Sequence, residues 1–115
     1  MIRDPGNIYT RELAEVYVSP AYRPQRDEER AARIQWKAET PLNTAVMFQI
    51  RTAGTREALE QSEWKGPAGP GSWFREPGRV PVREMSGPWF QYRARLTTPN
   101  GGATPVLTEV AIEFQ

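Results

Sequence analysis

Two residue types are missing from this chain altogether: it has no cysteine and no histidine. Without them there is no thiolate nucleophile, no Cys/His zinc site, no iron–sulfur cluster and no Ser-His-Asp triad. The imidazole that most often moves protons near neutral pH is absent too. Aspartate is scarce, two against twelve glutamates, and no loop has the Asp-rich spacing of an EF-hand. Lysine is as scarce, two (Lys37 and Lys65) against thirteen arginines, and the formal net charge is only +1. A general nucleic-acid binder normally carries a strong basic excess, so no nucleic-acid partner is expected. No apolar run approaches the roughly 20 residues of a membrane span, and no membrane insertion is expected. The opening residues Met1-Ile2-Arg3-Asp4-Pro5-Gly6 lack the apolar stretch of about 7–15 residues that a secretory signal uses. An extracellular or surface location is expected if the chain is a fragment of a larger secreted protein. No catalytic residue, metal site or cofactor is expected.

What is present is enough for one domain. At 115 residues the chain can bury a core without the disulfide or metal staples that domains below about 40 residues need. Four segments alternate with a period of two, as half-buried antiparallel strands do. In residues 31–39, Ile34, Trp36 and Ala38 share one face, opposite Arg33, Gln35, Lys37 and Glu39. In 45–52, Val46, Phe48 and Ile50 oppose Met47, Gln49 and Arg51. In 89–98, Phe90, Tyr92, Ala94 and Leu96 oppose Gln91, Arg93, Arg95 and Thr97. In 106–114, Val110, Ile112 and Phe114 oppose Glu109, Ala111 and Glu113. An earlier strand over 13–19 alternates less cleanly, with Ala14, Val16 and Val18 expected inward. A weaker strand is expected over 79–83, where Pro81 restricts it to an edge.

Turn chemistry separates the strands. Thr40-Pro41-Leu42-Asn43 is short enough for a hairpin, and Pro99-Asn100-Gly101-Gly102 supplies the positive φ of a tight turn. Residues 55–63 are the one helical candidate, with Thr55 as N-cap, Glu57 in the first turn and Leu59 packing inward. Residues 20–30 read as a polar loop and residues 1–12 as an N-terminal arm. The expectation is a single all-β domain over 1–115, an antiparallel β-sandwich of jelly-roll-like or fibronectin-like type with at most one short helix. The strand at 13–19 is expected to pair near the last strand.

Several stretches carry a resemblance. Trp64-Lys65-Gly66-Pro67, Gly71-Ser72-Trp73-Phe74, the strand Trp89-Phe90-Gln91-Tyr92-Arg93-Ala94-Arg95-Leu96 and Thr104-Pro105-Val106-Leu107 form one succession. Upstream, Ile34-Gln35-Trp36-Lys37-Ala38-Glu39 and Phe48-Gln49-Ile50-Arg51 belong to the same pattern. Together they resemble a poorly characterised bacterial β-sandwich accessory module found in large surface or secreted proteins and in phage-tail-like proteins. The resemblance implies a sandwich fold and a non-catalytic role, and transfers no ligand residues.

The candidate chemistry is sparse. A glycosidase needs two carboxylates facing across a cleft; Glu39, Glu109 and Glu113 are the outward candidates, and a glycoside hydrolase is the remotest reading. Asn100-Gly101-Gly102 and Asp27-Glu28-Glu29 are the only calcium candidates, and ordinary turns are favoured there. The Gly66–Gly71 stretch lacks the Lys-Ser/Thr of a phosphate loop, and its prolines remove backbone donors. Arg51, Arg93 and Arg95, with Gln49 and Gln91, share the outward phase of two strands. Pairing with Glu39, Glu109 and Glu113 of the same sheet is the favoured reading of that basic face. Trp64, Trp73, Phe74 and Trp89 leave the core phase. Trp64 is assigned to structure, while Trp73, Phe74, Trp89 and Arg93 form the candidate ligand set, because exposed rings stack on sugar faces. Ile2, Ile8 and Tyr9 of the arm are candidate assembly contacts. A structural or protein-interaction module of a larger surface, filament or phage-tail-like assembly, by self-association or with a protein partner, ranks first. A carbohydrate-binding module ranks second.

Overall fold

The computed structural model describes residues 2–9, 14–26, 28–81, 85–99 and 103–115, the first of these segments by its backbone alone. Among the described residues nine strands follow one another: β1 (Ile2–Tyr9), β2 (Ala14–Val18), β3 (Ala31–Glu39), β4 (Ala45–Ala53), β5 (Lys65–Gly66), β6 (Gly69–Pro70), β7 (Gly78–Arg79), β8 (Trp89–Thr97) and β9 (Val106–Phe114). They make two antiparallel sheets packed face to face. The first has the order β1-β9-β3-β7 and the second β2-β8-β4-β5-β6.

The order identifies the kind of sandwich. β1 pairs with β9, β2 with β8, β3 with β7 and β4 with β5. Strands far apart in the chain are thus matched from the outside inward, and the chain changes sheet at each step from β1 to β4 and again from β8 to β9. That is the jelly-roll arrangement of two Greek keys; a fibronectin-like sandwich keeps its first two strands adjacent in one sheet. The turn expected to close a hairpin, 40–43, and the link expected to hold a tight turn, 99–102, both join strands of different sheets. Residues 40–43 join β3 to β4, and 99–102 join β8 to β9, each from one sheet to the other; 100–102 lie outside the described residues. The expected pairing of 13–19 with the last strand is likewise corrected: β2 lies on β8, and it is β1 that lies on β9.

The long strands bury the residues their alternation indicates. Ile34, Phe48, Ile50, Phe90, Tyr92, Leu96, Val110 and Ile112 are all buried, each worth about 1.5–3 kcal/mol against exposure; Leu107, on the other phase beyond a register shift, is buried as well. Aromatic contacts join the sheets, with the Trp36 and Phe48 ring centroids 4.3 Å apart and Phe90 edge-on to Phe114 at 6.2 Å.

β2 reverses the expected phase. Val16 and Val18 are exposed, while Tyr17 packs against the core, its ring 6.4 Å from Tyr92. Tyr17 stands opposite Ala94, so it shares the inner face with that residue, and a one-residue difference in phase turns every neighbour outward. The larger apolar ring wins the inside.

Residues 57–61 form a 3₁₀ turn in place of a two-turn helix. Thr55 Oγ1 accepts from the Ala58 N–H at 3.2 Å, and Leu59 is the turn's buried residue. The polar loop after β2 is tied down where Tyr22 exchanges two backbone hydrogen bonds with Phe90 (2.8 and 2.7 Å) and Pro24 is buried. The weak strand expected over 79–83 is the edge pair Gly78–Arg79 on β3; 82–84 lie outside the described residues.

Candidate binding face

Alternation builds the outer face of the second sheet. Because Phe90, Tyr92, Ala94 and Leu96 point inward, Trp89, Gln91, Arg93 and Arg95 leave β8 on the other side. Across β4, Met47 stands opposite Arg95, Gln49 opposite Arg93, Arg51 opposite Gln91 and Ala53 opposite Trp89. On the other flank, Val16 meets Arg95 and Val18 meets Arg93. Beyond β4, Lys65 pairs with Ile50 and Phe74 bridges Phe48. Ile50 and Phe48 face the core, so the residues preceding their partners, Trp64 and Trp73, fall on the outside.

These side chains form one hydrogen-bonded layer. The guanidinium carbon of Arg51 lies 4.3 Å from the Trp64 ring centroid, and that of Arg93 lies 4.8 Å from the same ring and 5.2 Å from Trp73. Such contacts are worth about 0.5–2 kcal/mol each, more as they are desolvated. Arg93 Nε donates to Gln49 Oε1 at 3.0 Å, and its Nη2 donates to the same oxygen. Gln49, buried to 2% exposure, donates through Nε2 to the Ser72 carbonyl at 2.8 Å. Arg51 Nε donates to Gln91 Oε1 at 2.8 Å, and Gln91 Nε2 to the Ser19 carbonyl at 2.7 Å. Two glutamines thus fix the planes of two arginines, and both arginines lie against indoles.

The electrostatics are only partly compensated. Burial lowers the pKa of both guanidiniums from the ordinary value; the charge of Arg51 lowers Arg93 further, while Glu60 opposes the shift at Arg51. Among the described residues no ion pair joins Arg51 or Arg93 to a carboxylate. The expected pairing with Glu39, Glu109 and Glu113 is corrected, because those residues sit on β3 and β9 in the other sheet. There Glu109 lies 3.5 Å from Lys37 Nζ.

The fold brings together part of the candidate ligand set. Trp73 and Arg93 are in contact, and Trp89 shares their face at the far end of β8, with Arg23 at 5.7 Å from its ring. Phe74 is not available to a ligand: at 2% exposure it belongs to the core, held by paired backbone hydrogen bonds to Phe48. Adjacent strand residues face opposite ways, so Trp73 and Phe74 cannot both be outside. Trp64 was expected to be structural, yet it is the ring both arginines meet. Arg95 is on the face but exposed and apart from the layer. Ile2, Ile8 and Tyr9 belong to β1, whose backbone pairs with β9 within the chain; their side chains, like Asp27 and 100–102 of the calcium candidates, lie outside the described residues.

Comparison with protein-family models, with curated proteins and with solved structures finds no match to this chain.

Proposed function

We propose that this chain is a non-catalytic binding module whose ligand is a saccharide held on the outer face of the second sheet. The observation that carries this reading is the single layer in which partly buried Trp64 and Trp73 lie beside Arg51 and Arg93. A sugar offers a polarised C–H face and a rim of hydroxyls. An indole takes the first by burying apolar area, and fixed guanidinium N–H groups take the second. The glutamines hold that arrangement before any ligand arrives, which reduces the ordering that binding must impose. Indole N–H resonances followed by NMR through an oligosaccharide panel test it. Trp73 and Trp64 should shift together, and Trp73→Ala should remove binding while leaving the fold intact. Silence of both indoles across the panel at millimolar sugar would sink the reading.

A second reading, self-association, draws on β2. It is an edge strand of the second sheet, and its Val16 and Val18 are 50% and 46% exposed. A second copy adding its own β2 antiparallel would extend the sheet and cover those valines. Light scattering at high concentration tests this, with Val16→Lys expected to return any dimer to monomer; a monomer at all concentrations would end it.

A further inference from the structure

We infer that the saccharide is an acidic one, with a uronate carboxylate clamped between Arg51 and Arg93 and its sugar ring seated on Trp73. This inference rests on the saccharide reading above and specifies the ligand's charge.

Two cations share one ring. Arg51 and Arg93 both lie within 5 Å of the Trp64 centroid, so each is in the field of the other. Folding normally relieves such a pair with an acid, but Glu39, Glu109 and Glu113 are on the opposite sheet, Glu15 of β2 stands opposite Leu96 and not opposite Arg93, and Glu60 acts on Arg51 only at a distance. An anion between the guanidiniums offsets their repulsion and leaves one net positive charge in place of two.

The donors are already aimed. The glutamines occupy Nε of Arg51, and Nε and Nη2 of Arg93. Among the described residues no hydrogen bond uses either Nη of Arg51 or Nη1 of Arg93. The two Nη of Arg51 form a fork that meets a planar carboxylate and Nη1 of Arg93 adds a further donor, and such charge-assisted bonds are about twice as strong as neutral ones. Trp64 is met by both guanidiniums, whereas Trp73 is met only by Arg93, at 5.2 Å. Trp73 therefore has the freer ring. A pyranose stacked there carries its ring-attached carboxylate toward Arg93. A neutral sugar would leave two partly desolvated cations without a counter-charge.

The test compares oligogalacturonates and alginate-derived oligouronates with the same oligomers after reduction of their carboxyl groups, by isothermal titration calorimetry on the full chain. The acidic forms should bind about tenfold or more tightly than the reduced ones. Their affinity should fall as salt rises from about 50 to about 500 mM. Arg93→Lys and Arg51→Lys, which keep the charge but lose the fork, should each weaken the acidic ligand about tenfold, with thermal melts confirming that both variants fold. Arg95→Gln, on the same face outside the layer, should leave binding unchanged. Equal affinity for acidic and reduced oligomers overturns the acidic-ligand inference and leaves the saccharide reading standing. A sulfated oligosaccharide that binds where oligouronates do not overturns the carboxylate assignment. If neither acidic nor neutral oligomers bind, both readings fall together.

Discussion

One methyl group added at Gly66 should damage the fold and the binding face at once. A Cβ there would lie 2.3 Å from both the carbonyl carbon and oxygen of Ser72, and 2.5 Å from the Trp73 nitrogen. Favourable carbon contacts begin at roughly 3.5 Å, so two stretches of backbone must separate by about 1 Å. Neither is free to do so. The Ser72 carbonyl accepts from Gln49 Nε2 at 2.8 Å, and Ser72 Oγ accepts from the Ala68 N–H at 3.0 Å. One residue beyond Trp73, Phe74 is locked to Phe48 by hydrogen bonds of 2.9 and 2.7 Å. Overpacking of this kind costs about 1–3 kcal/mol, and losing the Gln49 bond adds about 1 kcal/mol. We therefore expect Gly66→Ala to lose about 2–4 kcal/mol. With an unfolding entropy of about 2.1 cal/mol/K per residue, 1 kcal/mol is worth about 4 °C in a domain of this length, so Tm should fall by about 8–16 °C. Differential scanning calorimetry reads this directly. Gly54→Ala is the control, since nothing lies within 4 Å of its added Cβ; its Tm should hold or rise slightly. A Gly66→Ala melt within about 2 °C of the parent would refute the close approach on which Trp73's position depends.

Three further substitutions probe other links. Thr44 Oγ1 is buried with no hydrogen-bond partner among the described residues, so Thr44→Val should be neutral or stabilising by up to about 1 kcal/mol; a clear loss in urea titration would mean that the hydroxyl has a partner. Leu42 is 77% exposed and sits at φ 49° in a turn closed by the Thr44 N–H to the Pro41 carbonyl at 3.0 Å. Left-handed backbone costs a leucine about 1–2 kcal/mol, so Leu42→Asn should gain about 0.5–1 kcal/mol, and a lower Tm would refute the assigned strain. Leu59 is 1% exposed and anchors the 3₁₀ turn. Leu59→Ala should cost about 2–4 kcal/mol by chemical denaturation, and a change below about 1 kcal/mol would show that the turn is not held by its apolar contact.

The four long strands were legible because their signal is local. A half-buried strand must alternate, and Phe90-Gln91-Tyr92-Arg93-Ala94-Arg95-Leu96 alternates without a fault. β2 misled because its apolar residues occupy both phases: Val16 and Val18 on one, Tyr17 on the other. Only the opposing residue on β8 decides between them, and that partner is distant in the chain. The turns misled for a similar reason, since proline and asparagine mark a reversal of direction without saying whether it stays within one sheet. Of the binding face, the outward phase of Arg51, Arg93, Gln49 and Gln91 was readable. Trp64 was not, because the strand that places it is only two residues long and too short to show a period.

Residue order alone therefore determined β3, β4, β8 and β9, their buried faces, and the exclusion of cysteine and histidine chemistry, whereas the arm expected over 1–12 is the paired strand β1. Each is a matter of which side chains exist and how successive ones diverge along a pleated backbone. The tertiary structure decided what those faces meet. Alternation puts arginine and glutamate alike on wet surfaces, but strand order put Arg51 and Arg93 on one sheet and Glu39, Glu109 and Glu113 on the other, where Glu113 stands opposite Arg33 and Glu109 opposite Lys37. Two guanidiniums thus lie against indoles with Glu60 acting only on Arg51, because sheet pairing is a long-range contact that no local spacing encodes.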